Sequence, residues 1–384
     1  MPPSLLPHDV SAGAVLTVDL AALRSNYRLI RDRVGPADVA AVVKANAYGL
    51  GAVHVATALL KEGCRDFFVA HLSEARELRS HLPPAAALYV LNGLQPEAEA
   101  EAVALGVRPV LNSLAQLDAW ASAGARLGRR LPAALQVDTG MSRLGLSAGD
   151  IEELLQRQST LDQIELVLLM SHLACADEPD HPANADQLTT FDKFAALFPA
   201  TRLCFANSGG AFLGHPFHGD LVRPGIALYG VNPVSGSTRP LRPVVRLDAR
   251  VIQVREIAEG AGVGYGLTFR ASARTRLATI GIGYADGWPR CLSGRGAAYA
   301  RGIRLPIVGR ISMDSTVVDI SALPQDTLCP GDLIEMIGPT QSLGDVARDA
   351  GTIAYEILTS IGQRYERVYL DDEAEQPSCL TRIA

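Results

Sequence analysis

Short apolar runs alternate with helix-period segments up to about residue 240, and beyond it the alternation stops. Strand-like runs lie near 39–44, 67–70, 87–91, 108–111, 134–138, 165–171, 202–206 and 220–223. Helix-period segments between them include 54–62, 73–82, 96–105, 113–123, 151–157 and 184–198. Ser73 with Glu77, and Asn112-Ser113, read as helix starts. Runs this short and this apolar suit strands covered on both faces, as in a parallel sheet flanked by helices. Eight of them in alternation predict an (α/β)8 barrel of the TIM type over residues 1–240. No GxGxxG follows the first strand, which argues against a doubly wound dinucleotide fold.

From 241 to 384 the chain reads differently. Strands near 244–257, 276–282, 296–300, 304–308, 316–320 and 332–337 are separated by Gly, Pro and Asp turns. Helical pattern returns only over 343–350 and 352–361, so this is a mainly β second domain. Arg239-Pro240-Leu241-Arg242-Pro243 marks the boundary. A strand near 13–19 and a helix over 20–32 precede the alternation, and that first strand is a candidate to pair with the second domain.

The chemistry concentrates at Val43-Lys44-Ala45-Asn46-Ala47-Tyr48-Gly49. A lysine closing an apolar strand is shielded on one side, which disfavours the ammonium and makes the amine a nucleophile toward a carbonyl. The plain alternative is a lysine stem that snorkels out of a strand end. In TIM-type barrels the active site lies at the C-terminal ends of the strands. There the fifth strand leads into Asp138-Thr139-Gly140-Met141-Ser142-Arg143, and the sixth ends in Ser171-His172. The seventh ends in Asn207-Ser208-Gly209-Gly210 and the eighth in Arg223-Pro224-Gly225-Ile226. His172 could equally be a core histidine, Arg143 a solvated loop residue, and Arg223 a partner of Asp220. Taken together, a lysine, glycine-rich turns able to cradle phosphate and an arginine for a carboxylate describe pyridoxal phosphate chemistry on an amino acid.

Composition narrows the partners. Net charge is −6 without a basic run, so nucleic acid is not expected. Six cysteines (Cys64, Cys175, Cys204, Cys291, Cys329, Cys379) form no CxxC pair, which argues against a zinc site or a disulfide framework and for a reducing compartment. With no Lys or Arg before Arg24 there is no signal-peptide start, and no apolar run reaches membrane-spanning length. A cytoplasmic protein is expected.

Seven segments carry a family resemblance. They are the lysine stretch, Asp138 to Gly145, Ser171-His172-Leu173-Ala174, Arg223 to Ile226, Gly262-Val263-Gly264-Tyr265-Gly266, Gly283-Tyr284-Ala285-Asp286-Gly287 and Gly309-Arg310-Ile311-Ser312-Met313-Asp314. In these the chain resembles the alanine racemases, isomerases that use pyridoxal phosphate on fold type III. The resemblance implies interconversion of L- and D-alanine, in D-alanine supply for peptidoglycan or in alanine catabolism. Serine, or a broader set of amino acids, is the alternative substrate on the same fold. It implies that Lys44 carries the cofactor and serves the D-enantiomer as base, and that Tyr265 is the opposing base. Arg143 and His172 are then the cations that would favour the Tyr265 phenolate, and Arg223, with His172 behind it, faces the pyridine nitrogen. Tyr48, Ser208, the backbone of Gly225 and Ile226, and Tyr355 would hold the phosphate. Met313 would meet the substrate carboxylate, and Tyr284, Asp177, Arg290 and Arg310 would line substrate access. A head-to-tail homodimer with shared sites is implied as well.

One departure stands out. Many members of that family carry a carbamylated lysine two residues before the Asp-Thr-Gly, where this chain has Gln136. Glutamine brings no charge, so a chloride ion between Gln136 and Arg143, or a direct Gln136–Arg143 hydrogen bond, is expected to compensate.

Overall fold

Continuous apolar runs become the staves of a closed parallel ring. The computed structural model describes residues 11–234 and 241–371. The chain divides into two units, 23–242 and 1–22 with 243–384. Arg239 and Pro240 of the expected boundary, and Cys379, lie outside the described residues. The other five cysteines are free thiols.

Strand β1 (Ala14–Asp19) belongs to the second unit. The barrel unit is built from β2 (Asp38–Val39), β3 (Ala41–Val42), β4 (Asp66–Val69), β5 (Ala87–Val90), β6 (Arg108–Leu111), β7 (Leu131–Gln136), β8 (Ile164–Met170), β9 (Arg202–Cys204) and β10 (Leu221–Val222). Strands β3 to β9 pair in parallel in sequence order, and β2 pairs with β10. Only Ala40 separates β2 from β3, and its N–H donates to Val222 O (2.9 Å), so 38–42 works as one strand. The Asp220 N–H bonds Leu203 O (2.8 Å) and the Arg223 N–H bonds Ala206 O (2.9 Å), joining β10 to β9 and closing the ring. Every residue of β4 and β5 is buried, which is why those runs lack polar alternation. The TIM-type reading holds.

In the other unit β11 (Val245–Ile257) is the spine. It pairs antiparallel with β1, which also lies parallel to β19 (Glu366–Leu370). Short strands β12 (Gly262–Val263) and β13 (Phe269–Arg270) form a separate pair. Strands β14 (Thr275–Ile280) and β17 (Thr316–Asp319) extend from one stretch of β11. From another stretch extend β18 (Leu333–Ile337), β15 (Ala297–Ala300) and β16 (Ile303–Pro306). Ser342 and Asp345 form a capping box on the helix Leu343–Ala350, and a second helix spans Ala354–Thr359. The mainly β reading also holds, though the sequence did not show β12, β13 or β19.

Two local expectations change. The first barrel strand stops at Val42, before Lys44, because the backbone reverses hand there. The cap at Ser73 is replaced by His71, with Glu74 as the third residue of the helix Leu72–Arg79. Ser113 does cap its helix, accepting from the Gln116 N–H.

Asn26 is buried in the barrel unit, where its amide donates to Leu228 O (3.1 Å) and Arg242 O (2.8 Å) and accepts from the Arg242 N–H (2.7 Å). Leaving such buried groups unpaired costs about 1–3 kcal/mol each. Asn26→Ala should therefore lower the unfolding free energy by at least about 2 kcal/mol in urea titration.

Candidate active site

Lys44 sits where β3 gives way to a rare backbone form. Ala45, Asn46, Ala47 and Tyr48 have φ of 52°, 52°, 53° and 57°, a full left-handed turn of residues with side chains. Each such residue costs roughly 1–2 kcal/mol. Gly49 N–H to Ala45 O (2.8 Å) and Gly51 N–H to Asn46 O (2.9 Å) hold it, while Asn46 Oδ1 accepts from the Ala52 N–H (2.8 Å). Desolvation, with Arg143 and Arg223 nearby, pulls the Lys44 pKa below its ordinary value, and Glu74 works against them. The chain has three lysines, and the other two, Lys61 and Lys193, are exposed on helices.

After β7 the chain makes a tight loop. Asp138 Oδ1 accepts from the N–H groups of Gly140, Met141 and Ser142 (2.9, 3.0 and 3.1 Å), and the Leu146 N–H returns to Gln136 O (2.8 Å). A Cβ on Gly145 would stand 2.8 Å from Asp138 N, so the return needs glycine. Arg143 rides exposed on this loop. Buried Gln136 donates through Nε2 to Leu144 O (3.1 Å), and no hydrogen bond joins it to Arg143. The expected direct bond is thus not formed, because the amide is turned to the neighbouring carbonyl. Gln187 ties the loop to the end of β8: Nε2 donates to Thr139 Oγ1 (3.1 Å) and His172 O (2.9 Å), and Oε1 accepts from the Ala174 N–H (2.9 Å).

Arg223 is buried, and among the described residues no carboxylate reaches it. Its Nη1 donates to Cys204 O (2.8 Å) and Cys204 Sγ (2.9 Å), and Nη2 to Ser171 O (2.6 Å). Asp220 accepts from the Leu203 N–H instead, so the Asp220–Arg223 pair does not form. Nη2 also approaches His172 Nδ1 at 3.4 Å. Asn207 Nδ2 lies 3.5 Å from Nε2, so both ring nitrogens face donors, an arrangement that disfavours a doubly protonated ring. Desolvation, then Arg223, Arg143 and Lys44, hold the His172 pKa well below its ordinary value. The expectation that His172 supplies a cation is corrected: its neighbours keep it neutral.

A cradle of bare backbone faces this arginine's strand end. Ser208 Oγ accepts from the N–H groups of Gly225 (2.8 Å) and Ala227 (3.3 Å), and the Tyr229 N–H bonds Ile226 O (3.1 Å). A Cβ on Gly225 would lie 2.3 Å from the Tyr48 hydroxyl, and one on Gly209 would strike Ala176 at 2.7 Å. Tyr48 is set by its ring against Tyr229, 4.8 Å between centroids, with the Tyr229 hydroxyl bonded to Val42 O (2.9 Å). Hydroxyls and backbone N–H groups converging where no Cβ intrudes suit a phosphate, and a lysine of lowered pKa on the same rim suits an aldehyde. The residues present fit pyridoxal phosphate. Asp177, also in this unit, is exposed.

The β unit groups its own expected residues around segment 309–313. A Cβ on Gly264 would stand 3.1 Å from Arg310 N, and one on Gly266 3.0 Å from Arg310 Nη1, so the Tyr265 turn packs on Arg310. The N–H groups of Tyr284 and Ala285 donate to Ser312 O (3.1 Å) and Met313 O (2.9 Å). Ser293 Oγ links the Arg290 turn to the Ile311 N–H (3.0 Å). Tyr265, Met313, Tyr284 and Tyr355 are 69%, 53%, 42% and 39% exposed, an apolar display that burial in this unit does not explain.

Residues 18–233 match the alanine racemase N-terminal domain, and residues 244–369 the alanine racemase C-terminal domain. The chain belongs to the alanine racemase family. A catabolic alanine racemase of Agrobacterium fabrum is 56% identical over 97% of this chain and 96% of its own length. An alanine racemase of Brucella canis is 53% identical over 94% and 95%. The Bartonella henselae alanine racemase, solved with covalently bound pyridoxal phosphate, superposes with a TM-score of 0.90 at 45% identity, covering 94% of this chain and all of that one. The biosynthetic Pseudomonas aeruginosa alanine racemase does so with a TM-score of 0.85 at 37% identity, over 93% and 99%.

Within this alanine racemase fold, sequence reading passed over Glu74, Cys204 and Gln187. Gln187 was detectable: Asn184, Gln187, Phe191 and Phe194 make one buried stripe of the helix Ala183–Ala195, and a glutamine there needs polar partners. Cys204 gave no signal, since a small residue ending an apolar strand reads as core. For His172, the imidazole 15N resonances should stay those of the neutral ring from pH 8 to pH 6, where an unperturbed histidine (pKa about 6.5) is mostly protonated. A titration midpoint near 6.5 would count against the site electrostatics.

Proposed function

We propose that the chain is a pyridoxal phosphate-dependent racemase that interconverts L- and D-alanine with two bases. The observation that carries this is the pairing of a half-buried, desolvated Lys44 with the Ser208–Gly225–Tyr48 cradle on one barrel rim. When bound, pyridoxal phosphate supplies the electron-withdrawing ring that makes the Cα proton of an amino acid removable. Lys44 would hold the group through Nζ, with Tyr48, Ser208, Gly225, Ile226 and Tyr355 binding its phosphate.

Racemisation needs a proton taken on one face and delivered on the other, since a single base on one face regenerates the same hand. In this reading Lys44 Nζ takes and returns the proton of D-alanine, and Tyr265 Oη that of L-alanine. A free tyrosine, with pKa near ~10, is a poor base at neutral pH, and neutral His172 leaves Arg143 as the cation to favour its phenolate. A guanidinium donates and does not accept, so a ring nitrogen held against Arg223 would stay unprotonated. That weakens the electron sink and favours prompt return of the proton. Met313 is read as meeting the substrate carboxylate, with Tyr284, Asp177, Arg290 and Arg310 lining access.

Tyr265, Tyr284, Met313 and Tyr355 support a homodimer in which each chain completes its partner's site. A cytoplasmic location is inferred from the free thiols, and no helix among the described residues is long and apolar enough to cross a membrane. Either D-alanine supply or alanine catabolism would use the same reaction.

Incubation with L-alanine and with L-serine, following each D-form, tests the reading, and absence of D-alanine would overturn it. Tyr265→Phe should cut α-proton exchange of L-alanine about 100-fold or more while exchange of D-alanine survives better, the scale of a lost general base. Equal losses would remove the two-base scheme. Mixing this variant with Lys44→Ala should restore activity if sites are shared.

A chloride ion is also inferred beside Gln136. One amide N–H is committed to Leu144 O, which leaves the second to meet an anion shared with Arg143. Activity should fall in chloride-free buffer and recover on titration, with an anomalous peak at the site. A flat response would count against the anion.

A further inference from the structure

Glu74 is the third residue of the helix Leu72–Arg79, where a carboxylate commonly folds back on the start of its own helix. One oxygen does this: Oε2 accepts from the N–H groups of Ala70 (2.6 Å) and His71 (3.0 Å). Capping is then complete, yet Oε1 reaches the neighbouring strand end and accepts from the Ala45 N–H at 2.6 Å. Ala45 follows Lys44 directly and is the first left-handed residue of the turn. Its amide is therefore the point where the backbone changes hand, and it is fixed by a short bond to a charged acceptor.

The charges around the lysine give this contact a second meaning. Arg143 from the loop after β7 and Arg223 after β10 both act electrostatically on the amine, and His172 lies just beyond β8. Glu74 is the carboxylate set against the two arginines. Resting on the reading of Lys44 as the reacting lysine, we propose that Glu74 is its positioning residue, clamping the left-handed turn and balancing the arginine charge at the amine. A mere helix cap would leave both the turn and the amine indifferent to the loss of its charge.

The test uses the full chain stripped of cofactor, with acetic anhydride as the lysine probe over a pH series and peptides read by mass spectrometry. Lys61 and Lys193 serve as internal references. In Glu74→Gln the Lys44 labelling midpoint should move down by roughly half a pH unit, about a threefold rate increase well below the midpoint, with the references unchanged. Amide exchange over 44–50 should quicken with that over 69–72. Glu74→Asp keeps the charge on a shorter stem, so it should restore the midpoint while 44–50 still exchanges fast. An unmoved Lys44 midpoint in Glu74→Gln, exchange confined to 70–79, or loss of fold in both variants would overturn the proposal. The labelling requires no turnover, so a failed racemase reading would show separately, as a parent chain that forms no D-alanine.

Discussion

Lowering the pKa of an amine takes desolvation and neighbouring positive charge, and the barrel rim is arranged to give Lys44 both. Closure of the ring brings Arg223 after β10 next to the strand that delivers the lysine, since the Val42 N–H bonds Pro224 O at 3.0 Å. Desolvation and the arginines act in the same direction on the lysine pKa. Desolvation and the same arginines act on His172, whose pKa they hold well below its ordinary value. Protonation on this rim is thus linked, with desolvation the largest influence on each group and its neighbours' charges the next.

Arg223 shows how a buried cation is kept without a counterion. Carbonyls of Ser171 and Cys204 take its protons along one side, and its guanidinium carbon lies 6.0 Å from the Phe68 ring centroid. Cys204 ends β9 and Ser171 follows β8, so adjacent strand ends supply these acceptors. A carboxylate partner would have neutralised the field that the arginine exerts on Lys44 and His172.

Element type and order were legible because burial on both faces writes continuous apolar runs that composition alone can show. Lys44, Arg143, His172, Ser208 and Arg223 were legible as strand-end residues, since barrel geometry collects strand ends on one rim. Backbone handedness was not: Ala45 and Ala47 have no sequence preference for a left-handed turn, which long-range contacts impose. Nor were the strands β12 and β19, the first two residues long and the second half-buried throughout, without the alternation that marks a sheet face. The lowered pKa of His172 depends first on desolvation and then on basic groups brought together by folding, from positions 223, 143 and 44. Local sequence cannot express that.

The missing Cβ at Gly225 bears on how this barrel can be re-engineered. A methyl group there would fall 2.3 Å from the Tyr48 hydroxyl and 3.0 Å from the ring carbon that bears it. Trimming position 48 to Phe would relieve the first clash and leave the second. The two positions are therefore coupled: a side chain at 225 requires the ring at 48 to shift or be trimmed. Libraries that vary the rim one residue at a time will meet the Tyr48 ring at position 225. Only joint randomisation with position 48, and with Tyr229 that supports its ring, would open that part of sequence space.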